Sequence, residues 1–288
     1  MIEARRIGLM LAVAAAVSAS LGGILVRNID TAGDWQVLFV RSLFFAVTVA
    51  IFLRVARPSG GLFEGLGRIG PLGILAAVAL CVAFIAYVVA IRRTSVASAV
   101  FIISTAPFIM AILSRILLAA RIPLPTWLFI SLSTLGVAVI FVAAQGRATL
   151  VGNAVALAAA AGYALYVVLL RMEARTDLMP AALLAGLLCA AVSLVMAKEL
   201  TMSTNDLLFA ALLGVVQIGG QYILITIAAR LIEPAELGLV LLLEIVLAPV
   251  WVWVFIGEVP PSPVLAGLAV VLVAVLGQSI LAFRHSSS

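Results

Sequence analysis

Ten runs of mostly apolar residues follow one another along this chain, at 7–26, 35–54, 69–91, 96–116, 124–144, 150–170, 179–197, 206–228, 235–256 and 262–283. Each approaches the roughly 20 residues that a helix needs to cross the hydrocarbon core of a bilayer. Lipid offers no partner to a free backbone amide, so such segments form helices and their connections sit at the two interfaces. The connections here are polar or helix-breaking: 28–34, Arg57-Pro58-Ser59-Gly60-Gly61, 92–95, 121–125, Gly146-Arg147, 171–177, 201–205, 230–234 and 257–263. No stretch remains for a soluble domain. Composition agrees, with 66% hydrophobic and 10% charged residues and a mean hydropathy of +1.34, against roughly 25% charged residues in a soluble domain. The expected fold is an all-α integral membrane protein of ten transmembrane helices.

The net charge of +5 does not gather on one face as a nucleic-acid surface would. With the N-terminus in the cytoplasm, Arg5, Arg6, Arg54, Arg57, Arg68, Arg115, Arg121, Arg171, Arg175, Arg230 and Arg284 share that side. Arg27, Arg92, Arg93, Arg147 and Lys198 take the other, and Arg41 is left inside a span. Eleven against five places both termini in the cytoplasm of a multi-pass inner (plasma) membrane protein. Arg5 and Arg6 precede an apolar run too long for a signal peptide, so the first helix is expected to be retained. Cys81 and Cys189 lie in apolar runs without metal-ligand spacing and read as small buried hydrophobes.

The halves resemble each other. An offset of 144 residues aligns Gly8 with Gly152 and Arg27 with Arg171; an offset of 137 aligns Arg93 with Arg230 and Pro123 with Pro260. Five helices per half is an odd number, so two such halves, 1–146 and 147–288, enter the membrane in opposite directions. Inverted repeats of this kind place a site near the midplane, in a central cavity between them.

Within the spans, Glu244 is the sharpest candidate, because a carboxylate there costs several kcal/mol unless it is paired or faces water. It reads either as a site for a substrate ammonium or a proton, or as a structural group bonded to a neighbouring backbone or to Arg41. Gln217 and Gln221 stand four residues apart on one helix face, where two amides can bond both ends of a zwitterion or simply tie helices together. Tyr163 lies nearest the midplane; Tyr87, Tyr166 and Tyr222 line a cavity, pack, or form an interfacial belt. Ser104 completes the binding set. Trp35, Trp127, Trp251 and Trp253 read as interface or lipid-facing anchors. Pro107 and Pro249 each free a carbonyl one turn earlier and allow a kink, as a hinge or gate or as plain bending. Ala14, Ser18 and Gly22, with Ala158 and Gly162, form small-residue packing faces. Glu233 and Glu236 flank Pro234 at a helix start, and Gln278 reads as structural.

The run Ala90-Ile91-Arg92-Arg93-Thr94-Ser95-Val96-Ala97-Ser98-Ala99 leading to Pro107, and Pro234-Ala235-Glu236 leading to Glu244, Pro249 and Gly257-Glu258, resemble the EamA-type members of the drug/metabolite transporter superfamily. The likeness extends over nearly the whole chain and is strongest to YddG-type amino-acid exporters, although Glu244 and Pro249 are separated where the family usually pairs Glu with Pro. Arg121 likewise stands where a glutamate is common. The resemblance implies export from the cytoplasm through a central cavity lined mainly by helices 1, 3, 4, 6, 8 and 9.

No GxxxxGK[ST] loop is present, so transport is gradient-driven or facilitated. Catalytic and metal sites are not expected: Asp30, Asp34, Asp177 and Asp206 map to loops or helix ends, no HExxH occurs, and the lone His285 lies in a polar tail. The reading is of a secondary transporter, not an enzyme, that exports small neutral or zwitterionic metabolites. Amino acids, aromatic ones included, fit best. The alternative is a small-drug or other metabolite exporter of the same fold, then a channel or lipid flippase. The partners are the small-molecule substrate and the bilayer, with no cofactor, no nucleic acid and no need of a second copy.

Overall fold

The computed structural model describes residues 2–26, 28–56, 67, 69–94, 96–143, 149–173, 178–197, 199–257 and 261–285. Arg27, the run from Arg57 to Gly61, Arg68, Ser95, Gly146, Arg147, Arg175, Asp177, Lys198, Glu258, Pro260 and Ser286 to Ser288 lie outside the described residues, as do the side chains of Arg92, Pro249, Arg284 and His285.

The described residues are helical with short connections, and nine stretches among them are long and apolar enough to cross a membrane. A tenth helix, Ser262–His285, follows. The helix begins at Ile2 where the sequence predicts 7; every other bound lies within two residues of expectation. The second, third, fifth, sixth and seventh spans are single helices, Asp34–Ala56, Gly70–Arg93, Leu124–Ala143, Leu150–Met172 and Met179–Met196. Local signals set their ends: Thr149 accepts from the Gly152 N–H as an N-cap, and proline stands in the first turn of the third and seventh spans.

The other four depart from the continuous helices expected. The first span turns at Leu21 between Ile2–Ser20 and Gly22–Val26. The fourth stops at Ser104-Thr105 between Val96–Ile103 and Ala106–Leu117, just before Pro107, whose ring cannot continue a helix from the residues before it. The eighth runs as Thr204–Leu212, a wider π-helical segment Leu213–Gly220, and Gln221–Ala228. The ninth breaks at Leu242 between Pro234–Leu241 and Leu243–Ile256, so Pro249 lies inside the second helix, well past the break.

Packing pairs the spans three with six, one with eight, four with six, nine with one, two with eight, seven with three, two with seven, five with ten, and four with nine. The largest buried cluster joins the first four spans to the sixth through ninth, around Phe45, Leu80, Tyr166 and Ile225. A second joins the fourth, fifth, ninth and tenth around Ile130, Leu239 and Val271. Gly136 and Gly267 let the fifth and tenth spans touch backbone to backbone: a methyl on Gly136 would stand 2.8 Å from the Gly267 carbonyl. The outer faces carry large apolar side chains, among them Val55, Leu124, Leu150 and Val195, which suits lipid rather than water.

Polar contacts tie the two ends of the bundle. At one end Arg5 Nη2 pairs with Glu236 at 3.0 Å, Arg171 Nη2 with Glu233 at 3.1 Å, and Arg171 Nη1 donates to the Arg230 carbonyl at 2.5 Å. The two glutamates at the helix start are thus ion-paired as well as favourably placed for its dipole. At the other end the Asp206 carboxylate accepts from the N–H groups of Asp30, Thr31 and Ala32 and from the Thr31 hydroxyl, pinning the first connection to the eighth span.

Candidate transport site

The broken spans meet. Ser18 of the first donates to the Val216 carbonyl of the π-helical segment at 2.6 Å, and a methyl on Gly22 would stand 3.2 Å from Gln217 Cγ. Gly214, in the same segment, lies against the second span: a methyl there would meet the Arg41 carbonyl oxygen at 2.5 Å. Glycine is what allows the wide turn to lodge between spans one and two. Helices with such local π turns are frequent at functional sites, because the wide turn redirects side chains and frees backbone groups.

Glu244 is the second residue after the break in the ninth span, near its middle. Its Oε2 accepts from Gln221 Nε2 at 3.4 Å, a long contact. Neither partner considered from the sequence, a backbone group or Arg41, holds it: among the described residues no cation lies within ion-pairing distance and no second hydrogen bond reaches it. Gln221 is buried, and Gln217 on the same span keeps its Oε1 buried without a partner.

Tyr163 is half-buried, with its hydroxyl also unpartnered, and its ring meets Tyr222 edge to face at 6.1 Å. Tyr222 in turn packs on Phe45, Phe84 and Tyr166 with centroids 5.1 to 5.9 Å apart. Tyr166 is fully buried and its hydroxyl bonds Thr226 at 3.0 Å, so it is a packing residue with a satisfied polar tip. Tyr87 is 37% exposed and lies within electrostatic range of both Arg41 and Glu244. Glu244, Gln221, Tyr163 and Tyr87 therefore belong to one neighbourhood, and Gln217 lies one turn before Gln221, against the first span.

Ser104 and Pro107 lie at the break of the fourth span. The Ser104 hydroxyl donates to Phe101 of its own span at 2.7 Å, within the break. Pro107 faces the first half of the ninth span, where a methyl on Gly238 would come 3.4 Å from its Cα. Trp251 differs from its expected role as an interface anchor: it is half-buried and donates to Ser20 at 2.8 Å, joining the ninth span to the first beside the break at Leu21. Gln278 donates to Thr126 at 3.2 Å. Cys81 and Cys189 are neighbouring free thiols in the core.

Two features escaped the sequence reading. The helix breaks at Leu21 and Leu242 have no proline to mark them. Arg41, expected as an arginine inside a span or a partner of Glu244, turns instead onto the core: its guanidinium lies 5.5 Å from the centroid of the buried Phe84 ring, and its Nε is buried without a partner. A charge at that depth costs several kcal/mol, more than a cation–π contact of about 0.5–2 kcal/mol returns.

The fold and this neighbourhood define a multi-pass helical membrane protein with a polar site where interrupted spans converge, the arrangement in which secondary transporters bind solutes. Residues 6–142 match the EamA-like transporter family. A solved structure, described only as a crystal structure of a protein, superposes with a TM-score of 0.82 over 95% of this chain and 98% of that one. At 17% identity that likeness shows the fold. No curated protein matches the chain.

Proposed function

We propose that the chain is a secondary transporter that exports small neutral or zwitterionic metabolites from the cytoplasm, amino acids above all and aromatic ones included, by alternating access. The observation that carries this is the set of polar atoms left open at the helix breaks: the Glu244 carboxylate with its single long bond, Gln217 Oε1 and the Tyr163 hydroxyl. Buried polar groups in a folded bundle are ordinarily satisfied, and an intramembrane ionisable residue is a functional candidate by default. A carboxylate, two amides and tyrosines beside aromatic rings suit a solute that carries an ammonium and an apolar side chain.

Two inverted halves, 1–146 and 147–288, are part of the proposal. If the helices of each half correspond in order, exchanging the halves turns the pair three–six into eight–one, four–six into nine–one and two–eight into seven–three; two–seven, five–ten and four–nine map onto themselves. All of these pairs pack. The break at Thr105 also corresponds, at an offset of 137, to the break at Leu242, and Pro107 to Glu244. The inner membrane, with both termini cytoplasmic, is the location this reading carries, and a monomer suffices.

The test is counterflow and efflux of radiolabelled amino acids from proteoliposomes, with an imposed pH gradient as a variable, comparing wild type with Glu244→Gln and Gln217→Ala. Saturable flux that falls at least about tenfold in Glu244→Gln is expected, with dependence on the gradient deciding proton coupling. Absence of amino-acid flux from well-inserted protein overturns the substrate reading.

A further inference from the structure

We propose that Arg41 is the carboxylate subsite of this transport site: its guanidinium, held over Phe84, takes the carboxylate of a substrate whose ammonium lies toward Glu244. The proposal rests on the reading of the chain as an amino-acid transporter and adds the residue that would make a free carboxylate obligatory.

Three observations carry it. Arg41 lies inside the second span and points into the bundle, over a ring of the buried core, rather than toward the nearer interface. Its Nε is buried and unsatisfied, and among the described residues no carboxylate lies within ion-pairing distance of it. A planar, always-charged fork with unused donors is the side chain best matched to a carboxylate. Finally, Arg41 and Glu244 act on the same rings: both lie within electrostatic range of Tyr87 and Tyr222 without touching each other. Opposite charges that lie near the same tyrosines but are not paired with each other suit a molecule that carries both charges, with the partly exposed Tyr163 and Tyr87 offering rings to its side chain.

Three probes that differ by one charged group each test this: phenylalanine, phenethylamine, which lacks the carboxylate, and 3-phenylpropanoate, which lacks the amine. Binding is measured on the full chain in nanodiscs, so that the result does not depend on transport. Arg41→Gln is expected to weaken phenylalanine and 3-phenylpropanoate about 10- to 100-fold and to leave phenethylamine within about twofold. Glu244→Gln is expected to give the opposite pattern. Arg41→Lys keeps the charge but loses the fork, and should weaken both carboxylate probes by an intermediate factor; it carries the test if Arg41→Gln does not fold.

Equal weakening of all three probes, or unchanged 3-phenylpropanoate binding in both Arg41 variants, overturns the proposal. So does a wild type that binds neither carboxylate-bearing probe. Arg41-dependent binding of 3-phenylpropanoate without binding of phenylalanine or phenethylamine keeps the subsite and overturns the amino-acid reading instead.

Discussion

Gln221 on the eighth span donates to Glu244 on the ninth at 3.4 Å, across the point where both helices lose their regular α geometry. The distance lies beyond the usual range for an amide donor to a carboxylate. The contact therefore orients the carboxylate weakly and leaves most of its hydrogen-bonding capacity open. Glu244→Leu separates a structural from a functional carboxylate. Replacing an intramembrane carboxylate that has no cation partner with an apolar side chain of similar size removes a cost of about 2 to 3 kcal/mol at most. The variant should melt at or above the wild-type temperature in detergent and yet carry no flux. A melting temperature many degrees lower would make the carboxylate a structural tie. Gln221→Leu should change stability by less than about 1 kcal/mol and raise KM severalfold.

The ion pairs at the other end of the ninth span are unequal. Glu236 has only 6% of its side chain exposed, with Arg5 at 31%, whereas Glu233 is 43% exposed and Arg171 27%. Losing Arg5 leaves a buried carboxylate without its cation; losing the exposed Glu233 leaves Arg171 still bound to the Arg230 carbonyl. Arg5→Ala is expected to cost about 1–3 kcal/mol, and Glu233→Gln less than about 1 kcal/mol. Comparison of thermal unfolding of the two variants checks the order, and equal losses would refute it.

The ten spans were legible because hydrocarbon thickness fixes helix length and lipid forbids unpaired backbone, two constraints that act on every apolar run alike. The break at Ser104-Thr105 was legible through Pro107. Those at Leu21 and Leu242 were not, since no proline stands beside them. The π-helical segment is written only in Gly214, Gly219 and Gly220, whose meaning depends on the neighbours that press on them: the Arg41 carbonyl, Thr48 and Ser18. Pairing Glu244 with Arg41 was the natural guess for two charges inside spans, and the geometry keeps them apart.

Asp206 fixes the opposite end. One carboxylate accepts from three consecutive N–H groups at residues 30–32, and the Asp206 N–H donates to the Ser203 hydroxyl that caps the helix. Asp206→Ala should leave the eighth span helical and raise hydrogen exchange at Asp30, Thr31 and Ala32 at least about tenfold, because these amides have the carboxylate as their acceptor. Asp206→Asn, which keeps one acceptor oxygen, should fall between. Unchanged protection in Asp206→Ala would mean that other groups hold this connection.

Gly22 packs against the π-helical segment and Gly214 lies within it, so a methyl group at each meets different material. At Gly214 the new Cβ would stand 2.5 Å from the Arg41 carbonyl oxygen and 2.7 Å from Phe44 Cβ, atoms that move only if the second span moves. At Gly22 it would stand 3.2 Å from Cγ and Nε2 of Gln217, a flexible side chain. Gly214→Ala is therefore expected to destabilise the protein by about 1–3 kcal/mol through overpacking. Gly22→Ala should cost less than about 1 kcal/mol, because Gln217 can rotate away, and its effect should appear in transport as a KM raised severalfold with unchanged melting. The opposite result, a fold sensitive to Gly22→Ala and indifferent to Gly214→Ala, would mean that the first span and not the second sets the position of the segment that carries Gln217.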